Sequence, residues 1–224
     1  GLLPPSPIHI APDVIARWEP LYAPMLTAAV AARPQAAAEL IRVSRAAVDA
    51  QQPGTVISTT LNLLWYNVFA TNDGITQFGG SPYDNATRLY FGSGNDFRLN
   101  RKVERFTADP EALLQVVPYE TSGHLAIPMV TLHTTGDEII PFWHEIVYFG
   151  KARQSSARNL LPIPIFRYGH CNFKAAEMLA AFGLLVWKAT GTLPPLPAEA
   201  AQLQQQYEAY EFQTLYLPQI GRSD

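Results

Sequence analysis

The sequence predicts an α/β fold, with a parallel-sheet portion preceded by a mostly helical N-terminal region. Two observations predict it. Residues 1–124 read as helices and loops, with proline breaks and one Gly/Asn/Asp/Ser-rich stretch. After Ile127 the pattern becomes strand, helix, strand, helix, the order of a parallel sheet built from crossover units. The composition allows a folded core, since 48% of the 224 residues are hydrophobic and 16% charged, which excludes intrinsic disorder.

Six prolines between Pro4 and Pro24 break up long helices, and Asp13 can cap a short helix running to Trp18. The Ala-rich stretch that follows divides at Pro34 into helices over 24–32 and 34–50, because proline suits a first helical turn. Gln51-Gln52-Pro53-Gly54 is a turn. The apolar run from Thr55 has β-branched residues mainly at its start and predicts a helix over 57–71. Residues 72–98 read as loop, 97–105 as helix, and Asp109-Pro110 opens another short one.

In the second half, Ile127 to Thr134 is a short apolar run that ends in the turn Thr135-Gly136-Asp137. A helix over 142–154 leads to a second run, Leu161–Arg167, interrupted by Pro162 and Pro164. Tyr168-Gly169-His170 turns again. From Asn172 to Ala189, apolar residues including Leu179, Phe182 and Val186 recur at three- and four-residue steps, an amphipathic helix stopped by Gly191. Residues 193–224 form a Pro-rich link, a polar helix over 198–214 and a frayed end. The expected organisation is therefore a cap over 1–124, a sheet portion over 125–192 and a helical tail over 193–224.

The net charge is −3, and no basic stripe offers itself to nucleic acid or an anionic membrane. No run of 18 apolar residues predicts a membrane span. Cys171 is the one cysteine, which excludes an intrachain disulfide framework and a multi-Cys zinc site. Gly1–His9 reads as the middle of a loop, not as a signal peptide, so the chain is expected to continue a longer one.

Asp137 follows the first strand and His170 the second, thirty-three residues on, the length one crossover requires. Ligands and catalytic groups gather at the carboxyl ends of parallel strands. A carboxylate there would hold the imidazole tautomer, and the imidazole would take a proton from a nucleophile.

These two segments resemble a known superfamily. Thr-Thr-Gly-Asp-Glu-Ile-Ile-Pro at 134–141 is similar to the acid loop of α/β-hydrolases, and Tyr-Gly-His-Cys-Asn-Phe at 168–173 to their histidine loop. The resemblance covers about residues 125–190. It implies that Asp137 is the triad acid and His170 the triad base, with residues 1–124 as a cap. No Gly-x-Ser-x-Gly elbow occurs in the chain. The resemblance therefore implies a serine hydrolase acting on a small ester or amide, whose nucleophile and oxyanion hole lie on an N-terminal portion outside this sequence. It calls for no cofactor. The competing expectation is a binding or assembly module that has kept the fold and lost the nucleophile. Two short parallel strands do not make a stable sheet alone, so residues 127–132 are expected to pair with backbone from outside the chain.

Other residues carry weaker readings. Glu138 is an alternative acid. Cys171 is an alternative nucleophile, although sequence neighbours rarely aim at one another and packing is its ordinary role. His133, Asp137, His144 and His170 suggest a metal, but a spacing of four does not converge on a strand, and His133 reads as a satisfied, buried histidine. Ser81 and Ser93 sit in Gly-rich loops as turn-formers or candidate nucleophiles. Trp65, Tyr66 and Phe69 belong either to helix packing or to an apolar wall for an acyl or alcohol group. The loop Tyr90–Asp96 is a candidate cover for the site.

Overall fold

The computed structural model describes residues 10–155 and 159–214. The proline-rich start at 1–9 and the expected frayed end lie outside them. The chain mixes helix with a two-stranded parallel sheet and divides into two compact units. The first comprises the residues up to Glu120 together with Glu138–Pro141; the second comprises Thr121–Asp137 and the chain from Phe142 onward.

The first unit is helical. Helix α1 (Pro12–Ala16) leads through a π-helical turn, Trp18–Tyr22, into α2 (Ala23–Ala31), and α3 spans Pro34–Ser44. Long helix α4 covers Thr55–Phe78, α5 Asp96–Lys102 and α6 Pro110–Val116, with a 3-10 turn at Val117–Tyr119. Prolines 12, 24, 34 and 110 each stand at the first or second position of a helix, where a missing N–H costs nothing. A small core of Ile10, Val14, Trp18 and Val68 joins the first segments to α4. Asn72 fastens them further, since its side chain accepts from the Ile10 amide at 2.6 Å and donates to the Ile10 carbonyl.

Two helices differ from the sequence expectation for identifiable reasons. α3 stops at Ser44, not at residue 50, and Arg45 takes a left-handed conformation. Beyond it Asp49 accepts from the Gln51 amide and the Gln52 side chain, both at 2.9 Å, local bonds that compete with continued helix. α4 runs through Asn72-Asp73-Gly74, a segment that reads as loop. The Tyr83 hydroxyl lies 2.7 Å from where a Gly74 side chain would begin, and it donates to the Ala70 carbonyl at 2.9 Å. Gly74 is there to admit a tyrosine against the helix, and tertiary contact overrides its helix-breaking tendency. The helix ends at Gly79, which has a positive φ.

In the second unit, β1 (Met129–Gly136) pairs in parallel with β2 (Leu160–Tyr168), with α7 (Trp143–Ser155) as the crossover. β1 starts two residues later than expected, and Ile127 is exposed. Pro162 and Pro164 lie two apart, so their missing N–H groups fall on one edge of β2, and the strand tolerates both. Leu161, Ile163 and Ile165 alternate onto the opposite face and meet Ala181 and Leu184 of α8 (Ala175–Thr190). Helix α9 (Ala198–Thr214) packs on α8.

The buried face of α8 is not the one its large apolar residues predict. Glu177, Ala180, Ala181, Gly183 and Leu184 are buried, whereas Met178, Leu179 and Phe182 are exposed. Close approach decides this. A side chain on Gly183 would meet Leu196 at 2.7 Å, so the small-residue face takes the inside.

Candidate active site

The ends of β1 and β2 are tied together before any functional group is placed. The Thr134 hydroxyl, fully buried, donates to the Gly169 carbonyl at 2.6 Å, and the Gly169 amide donates to the Gly136 carbonyl at 3.1 Å. The strand register breaks between Thr134 and Gly136. A side chain at Gly136 would sit 3.0 Å from the Arg167 carbonyl oxygen and the Tyr168 Cα, so glycine allows the two backbones to close on each other.

This arrangement puts Asp137 and His170 at the carboxyl ends of adjacent parallel strands. His170 Nδ1 lies 2.8 Å from Asp137 Oδ2. The Asp137 side chain is only 4% exposed and that of His170 38%. An ionised carboxylate only accepts, so opposite one Nδ1 would carry the hydrogen, and in the neutral ring Nε2 would then be the acceptor.

What faces Nε2 is Cys171, contrary to the expectation that neighbours in sequence point apart and that the thiol packs. Its Sγ lies 3.6 Å from Nε2, and the residue is exposed. The cause is local: Cys171 has a φ of 49°, so the chain folds back on itself directly after the histidine. Carboxylate, imidazole and thiol thus stand in a row.

Behind this row is a polar group that the spacing alone did not suggest. His133 Nε2 lies 3.7 Å from Asp137 Oδ2 and its Nδ1 3.9 Å from Glu145 Oε2, while Thr131 donates to Glu145 Oε1. The edge of the His133 ring meets Phe142, with centroids 5.5 Å apart. The four-residue spacing does converge here, because the strand ends at Gly136 and the Asp137 amide turns back to the Thr134 carbonyl at 3.2 Å. Thr131 and His133, two apart on β1, were the available signal, since alternate residues share a face. His144 instead stacks on Trp143 at 3.7 Å. Among the described residues no group of three or more His, Cys, Asp or Glu side chains is arranged to hold a metal.

The histidine loop has its own anchor. Arg167 donates to the Asn172 carbonyl at 2.6 Å and forms a forked pair with Glu177. Glu177 also accepts from the Lys174 amide at 2.7 Å, at the start of α8. The Arg167 guanidinium, and next to it that amide, hold the Glu177 carboxyl below the usual carboxylate range against the opposing effect of burial.

The remaining candidates belong to the first unit. Trp65 packs on Trp18 with ring centroids 5.5 Å apart, and Phe69 stacks on Trp65 at 6.3 Å with half its surface exposed. Tyr66 lines a cavity of the first unit. The Ser93 hydroxyl donates to Asp96 at 2.6 Å, and with the Ser93 amide it holds that carboxyl below its usual range. Ser81 accepts from the Tyr83 amide at 3.3 Å, so both serines serve turns. Glu138 accepts from Asn62 at 3.5 Å, and its second oxygen, which is buried, has no hydrogen bond among the described residues.

Among the described residues no helix is long and apolar enough to cross a membrane. No family model matches the chain, and no curated protein or solved structure matches it either.

Proposed function

We propose that Asp137 and His170 are the acid and general base of a serine hydrolase of the α/β-hydrolase type, acting on a small ester or amide. One observation carries this reading: the 2.8 Å contact between a buried carboxylate and the Nδ1 of a partly exposed imidazole at adjacent parallel strand ends. His170 Nε2 takes the proton of an attacking hydroxyl while Asp137 stabilises the imidazolium. The protonated ring then donates to the leaving group, an acyl-enzyme forms, and water resolves it by the same route.

The nucleophile and oxyanion hole come from a further portion of the hydrolase core outside these 224 residues. The exposed apolar surface of the second unit supports this part of the reading. Trp143, Ile146 and Val147 on α7, and Met178, Leu179 and Phe182 on α8, are all exposed, and such surface usually marks a partner. The same surface favours the second reading, a non-catalytic assembly module of the same fold. Hydrolysis of p-nitrophenyl esters by the complete gene product, with labelling by a fluorophosphonate, separates the two. A hydrolase turns over the ester and is labelled on serine; an assembly module does neither.

A further inference from the structure

The first unit holds a cavity of about 480 Å³, within the roughly 300–1,000 Å³ range of small-molecule sites. One wall is a single face of α4, whose residues 63, 66, 67, 70 and 71 follow the helical repeat. The other wall is a segment without regular secondary structure that is nonetheless held by many bonds. Asn85 accepts from the Phe106 amide at 2.7 Å and donates to the Glu104 carbonyl at 2.9 Å. Asn100 brackets Tyr90, accepting from its amide at 2.9 Å and donating to its carbonyl at 2.7 Å. Arg105 bridges the carbonyls of Asn85, Arg88 and Asn100. The cavity is therefore formed in advance, which lowers the ordering cost of binding.

Its lining is aromatic with one carboxylate: Tyr66, Tyr83, Tyr90 and Phe106 border an open cleft that the exposed Asp84 also lines. Asp84 accepts from the Ala86 and Ala108 amides at 2.9 and 3.1 Å, which fixes it in place, and it forms no ion pair among the described residues. The arginine side chains of the neighbourhood do not line the cavity. Arg88 and Arg105 lie over the Tyr90 ring, 5.8 and 5.6 Å from its centroid, so Tyr66, Tyr83 and Phe106 remain for a ligand. Burial, and after it the negative charge of Asp73, raise the Tyr83 hydroxyl above its usual range, so a second carboxylate adds to the negative field at that ring. The Tyr66 hydroxyl and the Asn67 side-chain amide have no hydrogen bond among the described residues.

We propose that this cavity binds a small organic ammonium ion, with its alkyl groups against Tyr66, Tyr83 and Phe106 and its charge toward Asp84. Aromatic faces attract such a cation through their quadrupole, and a fixed carboxylate adds a charge that a neutral molecule of the same shape cannot use. An anion would meet Asp84 and find no free guanidinium in the lining. The residues all belong to the first unit.

The test is titration of the complete gene product with choline and with its neutral carbon analogue 3,3-dimethylbutan-1-ol, followed by NMR of the tyrosine ring resonances. Choline should shift them saturably, and the neutral analogue should bind about tenfold more weakly. Asp84→Asn should remove that preference. Tyr66→Ala, at an exposed position whose side chain forms no hydrogen bond among the described residues, should weaken choline several-fold with an unchanged far-UV spectrum. Equal affinity for the two probes, no saturable shift by about 50 mM choline, or full affinity in the folded Tyr66→Ala variant would overturn the assignment.

Discussion

Arg167 and Glu177 meet as a fork, guanidinium Nη2 to Oε1 at 2.8 Å and Nη1 to Oε2 at 3.0 Å, across the loop that carries His170. The pair encloses residues 168–174 between the end of β2 and the start of α8, so the position of the imidazole rests on it. Glu177→Gln keeps the shape and loses the charge. Hydrogen bonds to a charged group contribute about 1.5–3 kcal/mol, so the variant should lose about 2 kcal/mol at pH 7. Because the folded carboxyl is held below its ordinary value, this contribution is present above the unfolded value of about 4.3 and is lost as the pH falls through the folded one. Urea melts at pH 7 and pH 3 should show a clear gap between wild type and variant at the first and a much smaller gap at the second. An equal gap at both would mean that the charge is not what matters.

Gly123 has a φ of 76°, and a side chain there would begin 2.5 Å from the Lys151 carbonyl carbon and 2.6 Å from the Ala152 nitrogen. Backbone cannot yield as a flexible side chain would. Gly123→Ala should therefore destabilise the second unit by about 2–3 kcal/mol, through strain and overpacking together. A thermal melt unchanged within a degree would show that the segment before β1 moves freely away from α7.

In the proposed mechanism a nucleophile approaches His170 Nε2, the atom that Cys171 faces. Carbamidomethylation of the thiol puts bulk at that atom and should cut ester hydrolysis by the complete gene product more than tenfold. Cys171→Ser should stay active and become insensitive to iodoacetamide. Loss of activity in the treated serine variant would locate the effect elsewhere; retained activity in treated wild type would mean that the thiol swings clear of the ring.

The second unit was more legible in the sequence than the first because its signals are short-range. The apolar runs, the Gly-Asp and Gly-His turns and the crossover length place Asp137 and His170 at strand ends without knowledge of tertiary contacts. The extension of α4 was not legible, since it depends on Tyr83 packing against Gly74 from nine residues away. The buried face of α8 is not legible for a related reason. A hydrophobic stripe indicates what is apolar, whereas Ala180, Ala181 and Gly183 decide how closely β2 and α9 can approach. The contact between Cys171 and His170 depends on one left-handed residue that is not glycine, and composition carries no sign of that.

The exposed apolar residues of α7 and α8 have a physical consequence for the 224 residues on their own. Surface of that kind, beside a two-stranded sheet, promotes association between chains. Sedimentation velocity at increasing concentration should show self-association or loss to large aggregates. A monomer with a cooperative melt across the range would show that the sheet needs no further cover.

The most direct measurement of the Asp137–His170 assignment is kcat/KM for p-nitrophenyl ester hydrolysis by the complete gene product and by its His170→Ala and Asp137→Asn variants, each checked for retained fold by circular dichroism. Removing the base, or the carboxylate that sets its tautomer, should lower the rate by about 10³–10⁴-fold in each case. A rate within about threefold of wild type in either folded variant, or no hydrolysis by the complete protein, would contradict it.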